Sequence, residues 1–261
     1  MDSNPPLDDD AFRSALAAGR PIVGADLSAV DWDEVAAEDA QFDGCLLEGT
    51  ILRAPRLSAA AFVRCRFRRC RFSRASLDDA RFEDCSFAGP GAEGCHFAFG
   101  ELRGARFAGC DLSFCVFERS GLHAIEMDRC NLRGARFDRS DFARALGRKL
   151  VVVRGSFRDC NLELADLSGV VLTGGTLARC RLREADLSGA DLAEVDLTGS
   201  DLFQANLDGA AIAGADLRGA AIDGLDLTRL ARFAGLKIDA GQQHPLLAAM
   251  GVEVHQEESR L

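Results

Sequence analysis

The sequence predicts an all-β solenoid, because its apolar residues recur at an interval that only a regularly bending chain explains. Between Leu27 and Leu227 every fifth residue is a large apolar side chain, apart from Ala37, Ala92 and Gly147. The residue two positions earlier is small, mostly Ala, Cys, Ser, Val or Gly. A period of five fits neither an α-helix nor a single strand, and a helix carrying it would bury no single face. The chain must therefore turn a corner every five residues.

The ten cysteines indicate how many corners complete a turn. All of them occupy the small position, and many lie twenty residues apart: Cys45, Cys65 and Cys85; Cys95 and Cys115; Cys110 and Cys130; Cys160 and Cys180. Since twenty is four fives, four corners complete one turn, and stacked turns lie about 4.8 Å apart. We interpret the thiols as compact core side chains. Disulfides between parallel stacked side chains would have a poor torsion, and no C-x-x-C spacing indicates a metal site.

The two ends of the chain differ from the repeat and are predicted to cap it. Residues 1–24 contain Asp8-Asp9-Asp10 followed by an amphipathic stretch up to Gly19, which predicts a short helix with an acidic N-cap and a glycine C-cap. Residues 25–229 form the repeat itself. Residues 230–261 predict a strand at 236–238, a helix at 242–250 and a strand at 251–254, which would cover an otherwise unpaired end of the sheet.

Two places interrupt the apolar series. The run around Ala92, residues 88–94, has strong turn character and no large apolar residue. The run around Gly147, residues 145–150, lacks its central apolar residue. A protruding loop of five or ten residues would preserve the register at either place, and a weak corner with a small side chain is the alternative.

The C-terminal half of the repeat identifies a family resemblance. Segments such as Ala185-Asp186-Leu187-Ser188-Gly189 and Ala205-Asn206-Leu207-Asp208-Gly209 resemble the A-(D/N)-L-x-x motif of pentapeptide-repeat proteins. The resemblance covers residues 25–229 and implies a right-handed quadrilateral β-helix of about ten coils, with four pentapeptides per coil. Before about residue 160, Phe replaces Leu and Arg often replaces Asp.

The tail is similar to the C-terminal segment of the quinolone-resistance members of that family. The resemblance implies homodimerisation through this segment, for which the candidate residues are Leu246, Leu247, Met250, Val252 and Val254.

Charge is distributed unevenly along the chain, whose net charge is −10. Residues 1–59 hold 4 basic and 12 acidic side chains, residues 60–158 hold 19 and 12, and residues 159–261 hold 8 and 17. The chain is therefore acidic, then basic, then acidic. The basic residues of the middle segment map to all four sides of a four-cornered coil, which disfavours direct nucleic-acid binding.

The resemblance implies a function in binding type II DNA topoisomerases, such as gyrase or topoisomerase IV. Members of the family protect these enzymes from poisons and are thought to imitate duplex DNA. The candidate contact residues are Asp186, Asp191, Asp196, Asp201, Asp216, Asp226, Arg148 and Lys149. Aspartates at these positions also have a structural explanation, because they can accept hydrogen bonds from nearby backbone N–H groups. B-DNA carries about one charge per 1.7 Å, so the mimicry would be partial.

The sequence leaves one alternative function open and favours neither catalysis nor a membrane location. A scaffold or adaptor for an unrelated protein, such as a secretion- or toxin-associated system, is the alternative. Catalysis and cofactors are not predicted, because the four histidines have no metal spacing, no catalytic motif occurs, and a regular rod lacks a concave pocket. No apolar run approaches the 18 residues of a membrane span. The N-terminus resembles no secretory signal, which predicts a cytoplasmic protein.

Overall fold

The computed structural model describes residues 4–145 and 151–253, where short strands stack in parallel. The strands are, in chain order, β1 (Ile22–Val23), β2 (Gln41–Asp43), β3 (Leu46–Glu48), β4 (Ile51–Arg53), β5 (Ala61–Val63), β6 (Arg66–Arg68), β7 (Arg71–Ser73), β8 (Arg81–Glu83), β9 (His96–Ala98), β10 (Arg106–Ala108), β11 (Val116–Glu118), β12 (Ile125–Asp128), β13 (Ala143–Ala145), β14 (Val151–Val153), β15 (Gly155–Arg158) and β16 (Thr176–Ala178). Helix α1 (Asp9–Ala17) precedes them. Two 3₁₀ turns (Leu227–Arg229 and Ala240–Gln242) and helix α2 (Gln243–Ala249) follow.

Successive pentapeptides belong to four parallel ladders, which we call faces A to D. In regular coils a residue pairs with the one twenty positions later, as Phe42 does with Phe62. Face A is the sheet β1-β2-β5-β8-β10-β12-β15-β16; face B contains β3 and β6; face C contains β4, β7, β9 and β11. Face D consists of single bridges, such as Arg56 with Ser76. The arrangement is consistent with the predicted all-β fold and with a β-helix.

The interior is filled by the central residue of each pentapeptide, and the phenylalanines stack in columns. On face A the ring of Phe62 lies 4.6 Å from that of Phe42 and 4.9 Å from that of Phe82, nearly parallel to both. On face C, Phe97 lies 4.7 Å from Phe72 in the same way. These distances match the spacing between neighbouring strands, so one aromatic ring is added for each coil. The predicted apolar core is confirmed.

Seven of the ten cysteines form one continuous column along the edge between faces A and B: Cys45, Cys65, Cys85, Cys110, Cys130, Cys160 and Cys180. All ten are free and buried. The Cys45 thiol donates to the Ile22 carbonyl oxygen at 3.3 Å, and the Cys180 thiol donates to that of Phe157 at 3.4 Å. The interpretation of the thiols as core side chains is confirmed.

The first interruption is a protruding loop. Phe67 stacks on Phe87, twenty residues later, whereas Phe72 stacks on Phe97, twenty-five residues later. Five extra residues therefore leave the coil between Phe87 and Cys95. The backbone of Gly89 donates to the carbonyl oxygen of Glu93 at 2.7 Å, which closes the base of the loop.

The second interruption is a β-hairpin. Ile125 pairs with Gly155 thirty residues later, so ten extra residues leave the coil. Strands β13 and β14 pair antiparallel within this insertion, with Ala143 opposite Val153. Gly147 lies between them, outside the described residues. At both interruptions the structure contains a loop rather than a weak corner.

Helix α1 lies against the first residues of the core. The Asp8 carboxylate accepts a hydrogen bond from the backbone N–H of Ala11 at 2.7 Å, and Gly19 follows the C-cap with φ of 61°. The Phe12 ring is fully buried, 5.0 Å from that of Trp32.

The C-terminal segment contacts the last turns of the ladder. Lys237 forms a bridge with Asp216 of face A. The Gln242 side chain is buried, and its Nε2 donates to the carbonyl oxygens of Leu217 and Ala220 at 2.8 and 2.7 Å. These bonds satisfy backbone acceptors that a regular next coil would otherwise satisfy.

Candidate partner-binding surfaces

Each of the six predicted aspartates has a local structural role. Their carboxylates accept a hydrogen bond from the backbone N–H two residues further along the chain, at 2.8 to 3.2 Å. They are Asp186, Asp191, Asp196, Asp201, Asp216 and Asp226. This is the turn-stabilising geometry expected of a short carboxylate at a corner.

The structure does not bring the six aspartates to one surface. Asp186 lies on face C, Asp191 on face D and Asp201 on face B. Asp196 and Asp216 stack directly on face A, where they pair across neighbouring coils. Asp226 begins the first 3₁₀ turn. A partner that approaches the rod from one side therefore meets only some of them.

Two of these carboxylates are also neutralised by arginines. The Arg218 guanidinium hydrogen-bonds to Asp216 at 2.6 Å and lowers the pKa of that carboxyl. Burial raises the pKa of Asp201, but the hydrogen bonds from Arg183 and from the backbone N–H of Phe203 outweigh it and lower the pKa overall. Both carboxylates are charged at neutral pH, and each has a cation beside it.

The predicted basic contact residues belong to the hairpin insertion. Arg148 and Lys149 fall between β13 and β14 and lie outside the described residues. The described part of the hairpin exposes Val151, 61% of which is accessible. The hairpin thus carries an apolar side chain away from the rod.

The predicted dimerisation residues differ in their exposure. Leu246 is buried in the core of its own chain, and Leu247 is half-buried, whereas Met250 and Val252 are exposed. Val254 lies outside the described residues. The strand predicted at 251–254 is wrong for its described part. There the backbone N–H of Val252 bonds back to the carbonyl of Leu247, at the end of α2, instead of joining a sheet.

A column of side chains on the edge between faces C and D was not predicted from the sequence. It consists of the residues at the same corner position in four successive coils, and we call it the ridge: Arg74, Phe99, Arg119 and Arg139. The backbone N–H group of each of the first three ridge residues donates to a carbonyl oxygen in the next coil at 2.8 Å. In each case the acceptor is the residue that directly precedes the next ridge residue in the sequence, as Ala98 precedes Phe99. The signal was present in the sequence, but the five-residue insertion hides the alignment of Arg74 with Phe99.

Two clefts adjoin the ridge, contrary to the expectation of a rod without concave sites. One, of about 480 Å³, is lined by charged residues that include Glu118, Arg119, Asp138, Arg139 and Asp166. The other, of about 430 Å³, lies near the opposite end of the ridge and is lined in part by Asp33, Glu34, Arg53, Arg74 and Phe99. Their walls are suited to polar, charged contacts.

The described residues contain neither a cluster of metal ligands nor a membrane-spanning helix. In the ranges 4–145 and 151–253, no three His, Cys, Asp or Glu side chains converge as metal ligands. No helix in the same ranges is both long and apolar enough to cross a membrane.

A family comparison matches more than half of the chain. The family model described as pentapeptide repeats matches eight copies, over residues 56–89, 125–163, 165–202, 180–219 and 196–229. A sequence search of curated proteins finds no significant match.

Solved structures of QnrB1, described as a plasmid-mediated fluoroquinolone resistance protein, are similar to this chain. Full-length QnrB1 is 28% identical, with a TM-score of 0.74 over 79% of this chain and 97% of QnrB1. One trypsin-treated variant is 27% identical, with a TM-score of 0.74 over 81% of this chain and 99% of that chain. A second is 26% identical, with a TM-score of 0.71 over 86% and 99%.

Proposed function

This chain belongs to the pentapeptide-repeat family, and we propose that it is a non-catalytic, cytoplasmic rod that binds another protein. The most specific partner is a type II DNA topoisomerase, gyrase or topoisomerase IV, which the rod would protect from poisoning or inhibit. The observation that supports this function is the similarity to QnrB1, because it extends over nearly the whole QnrB1 chain.

The proposed scaffold is a right-handed quadrilateral β-helix of about ten coils over residues 25–229, with residues 1–24 and 230–261 as caps. The four ladders and the one-strand spacing of the stacked rings support it. The buried contact of Phe12 with Trp32 supports the N-terminal cap, and the bonds of Gln242 support the C-terminal one.

The proposed DNA mimicry is local rather than general. A duplex of about 48 Å, the length of ten coils, presents about 28 charges, whereas this chain has a net charge of −10. Asp186, Asp191, Asp196, Asp201, Asp216 and Asp226 would contact the enzyme in subsets, by face. Arg148 and Lys149 on the hairpin would contact acidic parts of the same partner.

A gyrase supercoiling assay, with and without a fluoroquinolone, tests the proposal. We expect micromolar protein to inhibit supercoiling or to rescue it from the drug. A variant carrying both Asp196→Asn and Asp216→Asn should weaken the effect, because it removes two stacked charges of face A. Asn206 already accepts the corresponding backbone bond at 3.1 Å, so the turn is kept. No change in supercoiling or in drug rescue would exclude the topoisomerase function.

The alternative is a scaffold or adaptor for an unrelated protein, such as a secretion- or toxin-associated partner. The observation that favours it is the pairing of carboxylates with arginines, as in Asp216 with Arg218, which reduces the DNA-like field. The two functions predict different results in the supercoiling assay, because an adaptor leaves gyrase unaffected.

We also propose that the rod dimerises through its tail. The exposed Met250 and Val252, together with Leu247 and Val254, would form the contact, and Leu246 would anchor α2 to its own protomer. End-to-end pairing would place two rods in line, which is the arrangement that imitation of a duplex requires.

A further inference from the structure

The ridge carries arginines that no acidic side chain neutralises within the described chain. Arg74 and Arg139 have no carboxylate partner in residues 4–145 and 151–253, and Arg119 instead lies over the ring of Phe99, 5.5 Å from its centroid. By contrast, Arg136 on the same face pairs with Asp138 at 2.8 Å.

The aromatic side chain within the ridge is exposed to solvent. Phe99 is 44% exposed, and its φ of 55° is the one that other corner residues such as Phe114 and Leu164 also have. A large apolar ring held in solvent between two arginines is a feature that a binding surface would explain.

The same edge changes character above the hairpin. Gly169, Gly189 and Gly209 continue the column of the ridge, and we call them the notch. The backbone N–H groups of Gly169 and Gly189 bond to the carbonyls of Ser188 and Asp208 at 2.8 Å, so the glycines stack coil on coil. A Cβ added to any of the three would meet no atom within 4 Å. The edge between faces C and D therefore protrudes in the coils before the hairpin and is recessed in the coils after it.

The charges of face C reverse sign at the same place. The coils of the ridge present five arginines and two carboxylates on this face: Arg71, Arg74, Arg119, Arg136, Arg139, Glu118 and Asp138. The coils of the notch present three aspartates on this face, Asp166, Asp186 and Asp208. The 3₁₀ turn beyond them adds one charge of each sign, Asp226 at its start and Arg229 at its end. The two halves therefore carry equal and opposite net charge.

We propose that face C is a self-complementary interface through which two copies of this chain associate side by side, with antiparallel rods. The two copies are related by a two-fold axis that runs parallel to the strands and lies between the coil of Arg139 and the coil of Asp166. This axis reverses the order of the coils along the rod. It keeps the edge between faces C and D of one copy opposite the same edge of the other copy. It sets Arg139 over Gly169, Arg119 over Gly189 and Phe99 over Gly209 of the second copy. An interface related to itself in this way is the usual form of a homodimer contact.

The axis also sets basic coils against acidic ones. The coil of Arg119 meets that of Asp186, whose positions along the strand differ by three residues, about 10 Å. The two extended side chains span that distance between them. Within one chain these coils are three apart, so Arg119 and Asp186 approach each other only across the proposed interface.

The size of the contact sets its expected strength. Eight coils of one face cover about 38 Å along the rod, and the four residues of each coil on that face span about 13 Å across it. The contact therefore buries on the order of 500 Å² per copy, below the roughly 800 Å² of a stable interface. The association should therefore be weak, and it should weaken further at high salt, because the Debye length falls from about 8 Å at 0.15 M to about 3 Å at 1 M.

Filling the notch tests the shape complementarity. We expect Gly189→Arg to abolish concentration-dependent association in sedimentation velocity of the full-length protein, because ridge would then meet ridge. Arginine is compatible with the backbone there, since Arg139 has φ of 51° and Gly189 has 65°. Gly174→Arg is the matched control, because Gly174 is equally open but lies on the edge between faces D and A, away from face C. Equal association in the two variants would overturn the proposal.

Exchange of two charges tests whether the molecule that binds face C is a second copy of this chain. Arg119→Glu and Asp186→Arg should each weaken association about tenfold or more, and the double variant should restore it, because each altered residue then meets the other across the axis. Arg181→Glu, an exposed position on face B with no carboxylate partner in the described chain, should have no effect. The interface would be refuted if both single variants associated as strongly as the unmodified protein. It would also be refuted if the double variant associated no more strongly than the single variants.

The test is independent of the topoisomerase function and of the tail. If the tail also pairs, face C converts dimers into larger assemblies, and the Gly189→Arg protein should sediment as the tail dimer alone. If these assemblies form but the protein changes neither gyrase supercoiling nor its inhibition by the drug, only the proposed function is contradicted.

Discussion

At the scale of single residues, the position within the pentapeptide decides what each side chain does. The central residue fills the axis, the small residue two positions before it packs beside it, and the residue immediately before the centre faces outward. Phe107 shows the first role, with 1% of its surface accessible and its ring 4.6 Å from that of Phe82.

Phe107→Ala should destabilise the protein by about 3–5 kcal/mol, because it removes a stacked ring and leaves a cavity between two coils. Chemical denaturation of the full chain measures the loss. Phe203→Ala is the control, since 41% of the Phe203 side chain is exposed, and it should cost less than about 1 kcal/mol. Equal losses in the two variants would contradict the core role of Phe107.

The thiol column should make stability fall in alkali. A hydrogen bond with Cys130, together with burial, raises the pKa of Cys160 from 9.0 to about 12. Below pH 9 the thiol is neutral in both states and its contribution is complete. Between pH 9 and 12 only the unfolded chain ionises, so stability should fall by up to about 1.4 kcal/mol per pH unit for this thiol.

Urea denaturation between pH 8 and 11 measures this slope, which no tyrosine obscures because the chain has none. Cys160→Ala should make the slope shallower, and alanine fits the position, as the buried Ala185 shows. A slope that does not change in this variant would assign the alkaline loss to other groups.

At the scale of elements, the corner is the unit that tolerates insertion. Ala88 and Gly94 pair across the base of the first loop, so the chain leaves and rejoins the coil at nearly the same place. Gly94 is also closely packed, since an added Cβ would lie 2.3 Å from the backbone nitrogen of Cys115. The loop is therefore an addition to a corner whose packing is kept.

Deletion of residues 89–93 should leave the fold intact, because it restores a five-residue step from Phe87 to Phe97 and places Gly94 at the corner position where glycine is favoured. We expect a far-ultraviolet dichroism spectrum like that of the full chain and a thermal midpoint within a few degrees of it. Deletion of residues 94–97, which belong to the coil, is the control and should unfold the rod, because it removes the buried Phe97 and shifts every later side chain out of register. If both deletions unfold the rod, residues 89–93 are not an insertion outside the coil.

At the scale of the whole molecule, we propose that the ends and the charge pattern decide how rods meet. A solenoid has unpaired backbone at each end, and near the C-terminal end the Gln242 side chain bonds to two backbone carbonyls. In this proposal, association along the axis depends on the tail, whereas association through face C depends on charge and on the shape of the edge between faces C and D.

Deletion of residues 236–261 should yield monomers or aggregates in light scattering, since it removes the exposed Met250 and Val252 and uncovers the end of the ladder. A gentler variant, Met250→Glu with Val252→Glu, should give monomers with unchanged thermal stability, because both side chains are exposed. A dimer that survives both changes would exclude the tail from that role.

The sequence by itself determined the repeat, the ladder and the core. Side chains such as Leu187 and Phe62 recur with a period that has one physical solution, a chain that bends every five residues. The thiols were assigned correctly for the same reason, because Cys45 and Cys65 share a position in that period. The helix at Asp8 followed from local capping chemistry, which needs no distant partner.

Only the tertiary structure decided which outward residues share a surface. An insertion of five or ten residues keeps the pentapeptide phase but shifts the alignment of the coils, so Arg74 and Phe99 become neighbours although twenty-five residues separate them. The six aspartates were grouped by sequence, but the same winding disperses them over the faces. The physical reason is that a five-residue period fixes which side chains point inward, whereas the neighbours of those that point outward depend on the length of every intervening loop.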